Sequence, residues 1–132
     1  MYLVLSTIPH LYSILPLIKY YKYTYGYIHV ILLSTLLSVL YHTYEESNEI
    51  ITILDYSSAV IWVLYDIYMG YIYTNKKILF KIILGNTLLF FINIQIPYTV
   101  SYPFYHSLWH FINAYKCYYV STLITMGNLK EV

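Results

Sequence analysis

Five apolar stretches, each about as long as a helix that crosses a bilayer, take up almost the whole of this sequence. Residues 2–18 carry no charge, are interrupted by Pro9, His10 and Pro16, and close at Lys19 and Lys22. Residues 23–41 are also uncharged and end at His42. A polar loop follows with Glu45, Glu46, Ser47, Asn48 and Glu49. Residues 50–75 hold Asp55 and Asp66 and stop at Lys76 and Lys77; residues 78–96 contain Lys81 near their start. Residues 97–103 read as a short turn with two prolines, and residues 104–126 form the last stretch. Roughly 17–25 predominantly apolar residues cross a hydrocarbon core as helix. Membrane β-strands would be about 9–11 residues long and alternating, a pattern the chain lacks. The expectation is an all-α fold: a multi-span transmembrane helical bundle of about five helices, one domain over residues 1–132.

Composition agrees. The chain is 60% hydrophobic and 10% charged, with a mean hydropathy of +0.59, whereas a soluble domain usually carries about 25% charged residues. Its seven basic residues are all lysine and the net charge is +1. With no basic run and no arginine fork for phosphate, nucleic acid is excluded as a partner. The single Cys117 rules out an intrachain disulfide framework. Tyrosine, at twenty residues, is well tolerated at membrane interfaces, where the ring is apolar and the hydroxyl is wet. The first stretch has no basic residue before it and no clear small-residue cleavage site after it, so it reads as a span rather than a signal peptide.

Lysine placement gives an orientation. Lys19 and Lys22 lie between the first and second spans, Lys76, Lys77 and Lys81 between the third and fourth, and Lys130 after the fifth. Alternating spans put them on one side, so the N-terminus is expected outside the cytosol and the C-terminus inside it.

On that topology the polar residues gather. Ser38 and His42 end the second span at its outer side, Asp55 begins the third there, and His106 and His110 begin the fifth there. Ser38 and His42 are spaced i, i+4, on one helix face and about 6 Å apart. His106 and His110 have the same relation, which lets two imidazoles bind one metal. His42 supplies a third imidazole from another helix. Three protein ligands with an open fourth position is the pattern of catalytic zinc, which lowers the pKa of bound water to about 7. Asp55 would orient a ligand histidine or act as base, and Ser38 would hydrogen-bond a ligand or a developing oxyanion. Ser34 and Ser38 also form a small-xxx-small pair, so close helix packing is an alternative role for Ser38.

The segments "LLSVLYHTYEE", "LDYSSAVIW" and "YPFYHSLWHFINAY" together resemble the CREST superfamily of membrane hydrolases. That group includes alkaline ceramidases, progestin and adiponectin receptors, post-GPI-attachment lipases and the muscle fusion protein myomaker. Its pattern is S-x3-H near the end of one helix, D near the start of the next, and H-x3-H on the last. Ser38, His42, Asp55, His106 and His110 match it position by position, and "HSLWH" is most similar to the lipase and myomaker branch. The resemblance covers roughly residues 25–126 and implies zinc held by His42, His106 and His110, with hydrolysis of a lipid amide or ester. The family has seven spans against five expected here, and the interval from Asp55 to His106 is one helical hairpin short. The acidic calcium-binding segment of ceramidases has no counterpart before Tyr2, so calcium dependence is not implied.

The expected function is therefore that of a zinc-dependent intramembrane lipid hydrolase, ceramidase-like or phospholipase-like, acting on a membrane lipid. The alternative is a non-catalytic membrane-remodelling or structural protein that retains the zinc site. A shortened bundle leaves a gap, for which at least a homodimer is expected. The three Glu of the polar loop read as solvated, Trp62 and Trp109 as packing or interface residues, and His10 and His29 as structural. Cys117 lies about 10 Å beyond His110 along a helix, too far to join its metal site. Asp66 and Lys116 reach similar depths counted from the outer ends of their spans, and opposite charges deep in a bilayer should seek each other. The competing expectation is that Lys116 snorkels to the inner surface while Asp66 stays protonated.

Overall fold

Prolines shape the first stretch. The computed structural model describes residues 2–44, 48–95 and 102–128; Glu45 and Glu46, the segment 97–101 and Lys130 lie outside the described residues. The N-terminal arm begins as α1 (Tyr2–Thr7), tightens into a 3-10 segment (Ile8–Ile14) and ends as α2 (Leu15–Ile18). Pro9 and Pro16 stand in the first turns of the second and third pieces, where a missing N–H costs nothing. In an unbroken α-helix each would remove a hydrogen bond and clash with the preceding turn, so the expected uniform span is a three-piece arm.

Four long helices follow: α3 (Tyr21–Thr43), α4 (Glu49–Tyr73), α5 (Lys76–Gln95) and α6 (Tyr102–Asn128). The described residues form helix and no strand. Asn48 caps α4, its side-chain oxygen accepting from the backbone of Ile50 (3.0 Å) and Ile51 (3.1 Å). Asn75 does the same for Lys77 and Ile78 at the start of α5, each at 3.1 Å, so it opens the fourth helix rather than closing the third. The expected 97–103 turn is shorter at its far end. Helix α6 already begins at Tyr102, and Pro103 is accommodated in its first turn.

The arm packs on both α3 and α6, α4 packs on α3, α5 and α6, and α5 also packs on α6. Helices α3 and α6 face each other across the middle, with the arm on one flank and α4 on the other. An apolar core of Leu17, Tyr27, Ile31, Trp62, Cys117 and Val120, with its neighbours, fills the half away from the start of α6.

Polarity is distributed inside out. His10, His42, His106, His110, Asp66 and Asn86 are among the buried residues, whereas Leu, Ile, Phe and Tyr dominate the exposed positions of every long helix. Threonine hydroxyls turn back onto their own helices, as Thr35 does onto the Ile31 carbonyl at 2.8 Å. Helices α3 and α4 are long and apolar enough to cross a membrane.

The ion pair expected between Asp66 and Lys116 is present. Lys116 Nζ lies 2.7 Å from Asp66 Oδ2 and donates to Asn86 Oδ1 at 2.6 Å. The Tyr27 hydroxyl donates to the other Asp66 oxygen. One polar knot thus joins α3, α4, α5 and α6. Lys116 is rotated from the His106–His110 face, and its flexible stem spans the difference.

Candidate metal centre

His42 comes from the last turn of α3, and His106 and His110 come from successive turns near the start of α6. The i, i+4 spacing stacks the two α6 rings on one face, and the facing of α3 and α6 brings the third to them. The potential ligand atoms of the three imidazoles all lie within 4.8 Å of one another. All three side chains are buried, His110 to 2% exposure.

His42 Nε2 stands 3.1 Å from His110 Nε2. Two imidazole lone pairs at that distance repel each other unless a proton or a cation lies between them. Two nitrogens on a tetrahedral zinc with Zn–N near 2.05 Å are about 3.3 Å apart, so this pair fits a shared ion with little movement. The ring of His106 lies 5.1 Å from that of His42 and 4.7 Å from that of His110, centroid to centroid. A donor set of three imidazoles suits zinc, copper, iron or nickel.

Aromatic rings hold the cluster in place. Tyr41 packs on His42 at 5.0 Å, Tyr102 on His106 at 4.8 Å and Trp109 on His110 at 5.0 Å. Trp109 is itself pinned, because its indole N–H donates to the Leu89 carbonyl of α5 at 3.0 Å.

Beside the cluster lies a cavity of about 520 Å³. His106 and His110 line it, and so do Asp55 and Ser38, the other two residues singled out in the sequence. His42 supports the cluster from behind, off the cavity wall. Ser38 is buried. Its partner in the small-xxx-small pair, Ser34, accepts a 3.3 Å hydrogen bond from Ser58 at the α3–α4 crossing. Ser34 therefore makes a helix-packing contact, and both serines line the cavity.

His10 was expected to be structural and remote, and the fold sets it beside the cluster. Its Nε2 is 3.3 Å from the His110 carbonyl oxygen, its ring is 5.4 Å from that of His110, and it lines the cavity. Edge-on contact with Trp62 at 5.2 Å fixes the ring further. Spacing gives no hint of this, since no second histidine on the arm marks a face. Position along the helix does: His10 lies eight residues into its stretch from Tyr2, as His110 does from Tyr102. His29 bonds the Tyr25 carbonyl of its own helix at 2.6 Å, away from the cluster.

No protein-family model matches the chain, and it matches no characterised protein in sequence and no solved structure in fold.

Proposed function

We propose that this chain is a multi-pass membrane protein that binds zinc at His42, His106 and His110 and hydrolyses a lipid amide or ester bond. The observation that carries the reading is a single one: three buried imidazoles from two helices cluster beside a cavity that two of them, His106 and His110, line together with Asp55 and Ser38. The motifs that place them resemble those of the CREST hydrolases. The membrane assignment rests on the apolar exterior, the buried polar interior and the spanning length of α3 and α4. Lysine asymmetry then puts the N-terminus and the metal end outside the cytosol.

Zinc, once bound, would supply Lewis acidity towards a carbonyl oxygen and activate a water as nucleophile. The protein's own groups do the rest. Asp55 takes the proton from the attacking water and returns it to the leaving amine or alkoxide. The Ser38 hydroxyl donates to the oxygen on which negative charge develops. The largely apolar wall built by Val60, Leu64, Phe90 and Phe91 holds an acyl chain and excludes bulk water.

A second reading has its own support. His110 is almost fully enclosed, and His42 reaches it from behind the cavity. Such a centre would pin α3 to α6 without turnover, as in a structural or membrane-remodelling protein. The deciding experiment is lipid turnover by purified, zinc-loaded protein in lipid discs, with ceramides and phospholipids as substrates. Release of fatty acid that falls by about 10²–10⁴-fold in Asp55→Asn at unchanged zinc content supports hydrolysis. Zinc-loaded protein that releases none supports the structural centre.

A further inference from the structure

The cavity has a second polar end that the hydrolytic reading does not use. Asn86, Asn113 and Lys116 line it together, on α5 and α6, away from the metal-binding histidines. Between the two ends the wall is largely apolar, with Val60, Val63 and Phe90 on it. From His110 to Asn113 is three residues, and from His106 to Lys116 ten, so the two polar groups are separated by about 5–15 Å of helical rise.

The chemistry of that end is that of a donor site. An ammonium carries three N–H donors and no acceptor. Asp66 and Asn86 take two of those of Lys116, and its side chain keeps 15% exposure on the cavity wall. Asn113, one turn closer to the histidines, engages Cys117 only through its carbonyl oxygen, at 3.8 Å. Its amide group remains a donor at a half-buried position on the same wall. A plain hydrocarbon chain laid along this cavity would desolvate these donors without replacing their bonds, which costs free energy.

We infer that Asn113, Lys116 and Asn86 form a second subsite for an oxygen-bearing group, such as a hydroxyl, partway along the chain of a lipid lying in the cavity. The inference rests on the lipid-binding half of the proposed function and names the lipid class as one with an oxygenated chain. Asp66, itself held by the Tyr27 hydroxyl, keeps the ammonium in place and neutralises it, so the subsite favours a neutral acceptor over a second carboxylate.

The test uses the whole protein in lipid discs. Trp62 and Trp109 are its two tryptophans and both line the cavity, so a chain-brominated fatty acid bound there quenches their emission. Displacement of that probe is then measured with a mid-chain hydroxy fatty acid and with its unsubstituted parent of equal length. The hydroxy acid should displace the probe roughly tenfold more effectively, the size of one hydrogen bond to a charged donor. Asn113→Leu, which leaves the ion pair intact, should lose much of that preference. The double variant Asp66→Asn with Lys116→Met should lose all of it. Equal displacement by the two acids, absence of quenching, or a preference that survives in Asn113→Leu would overturn the subsite. Zinc content measured on the same samples separates the two claims: a hydroxyl preference in protein that takes up no zinc sinks the metal reading alone.

Discussion

Asp66 and Lys116 give the plainest forecast at the scale of single residues. Removing one partner leaves the other buried and uncompensated, so Asp66→Asn or Lys116→Met alone should cost about 3 kcal/mol or more. The double variant should cost less than the sum, with a coupling of about 0.5–3 kcal/mol in thermal unfolding. Strict additivity would mean that the two do not interact. Ser38→Ala should slow turnover by about 10²-fold if its hydroxyl meets the developing charge, with zinc content unchanged. That these five residues come near one another was legible because Ser38 and His42 share one helix face, His106 and His110 share another, and all five fall near facing ends of their helices. The partners of the ion pair were half legible: depth pointed to Lys116 and Asp66 but not to Asn86 or Tyr27. A lone polar residue on a helix carries no local mark of the face that will be buried. His10 escaped for that reason as well.

Helices differ in how far their ends could be read. Charge clusters and prolines located all five elements to within a few residues, since neither sits comfortably inside an apolar helix. What they left open was which neighbour a boundary residue serves. Asn75 looks like the end of an apolar run, yet its side chain caps the next helix. Asn48→Ala and Asn75→Ala should each lower stability by about 1 kcal/mol, read as a drop in the unfolding midpoint. The glycines separate in a similar way. A Cβ at Gly85 would meet nothing within 4 Å, so Gly85→Ala should stabilise α5 by about 0.5–1 kcal/mol. At Gly70 it would meet Ile82 Cδ1 at 2.9 Å and Leu79 Cδ1 at 3.3 Å, where α4 and α5 converge. Gly70→Val should therefore destabilise by about 1–3 kcal/mol, and an opposite ordering of these two variants would contradict the packing of α5 on α4.

At the scale of the whole molecule, the polar interior and apolar exterior set the proposed surroundings, and lysine asymmetry sets the proposed orientation. Cysteines introduced at Ser47 and Asn75 should be labelled from opposite faces of sealed vesicles; labelling from one face would refute the alternation of spans. Among the described side chains of α5, Ile82, Asn86 and Leu89 are the buried ones and form its inward face. The proposed homodimer would cover the remainder, and mass measurement in lipid discs should give twice the chain mass. A monomer that still binds zinc would count against it. Everything proposed for the site depends on metal held between α3 and α6, and metal analysis of detergent-purified protein measures that directly. The account predicts about one zinc per chain in the native protein and little in a variant combining His106→Ala with His110→Ala. Native protein that takes up no zinc, or a double variant that retains full occupancy, would contradict it.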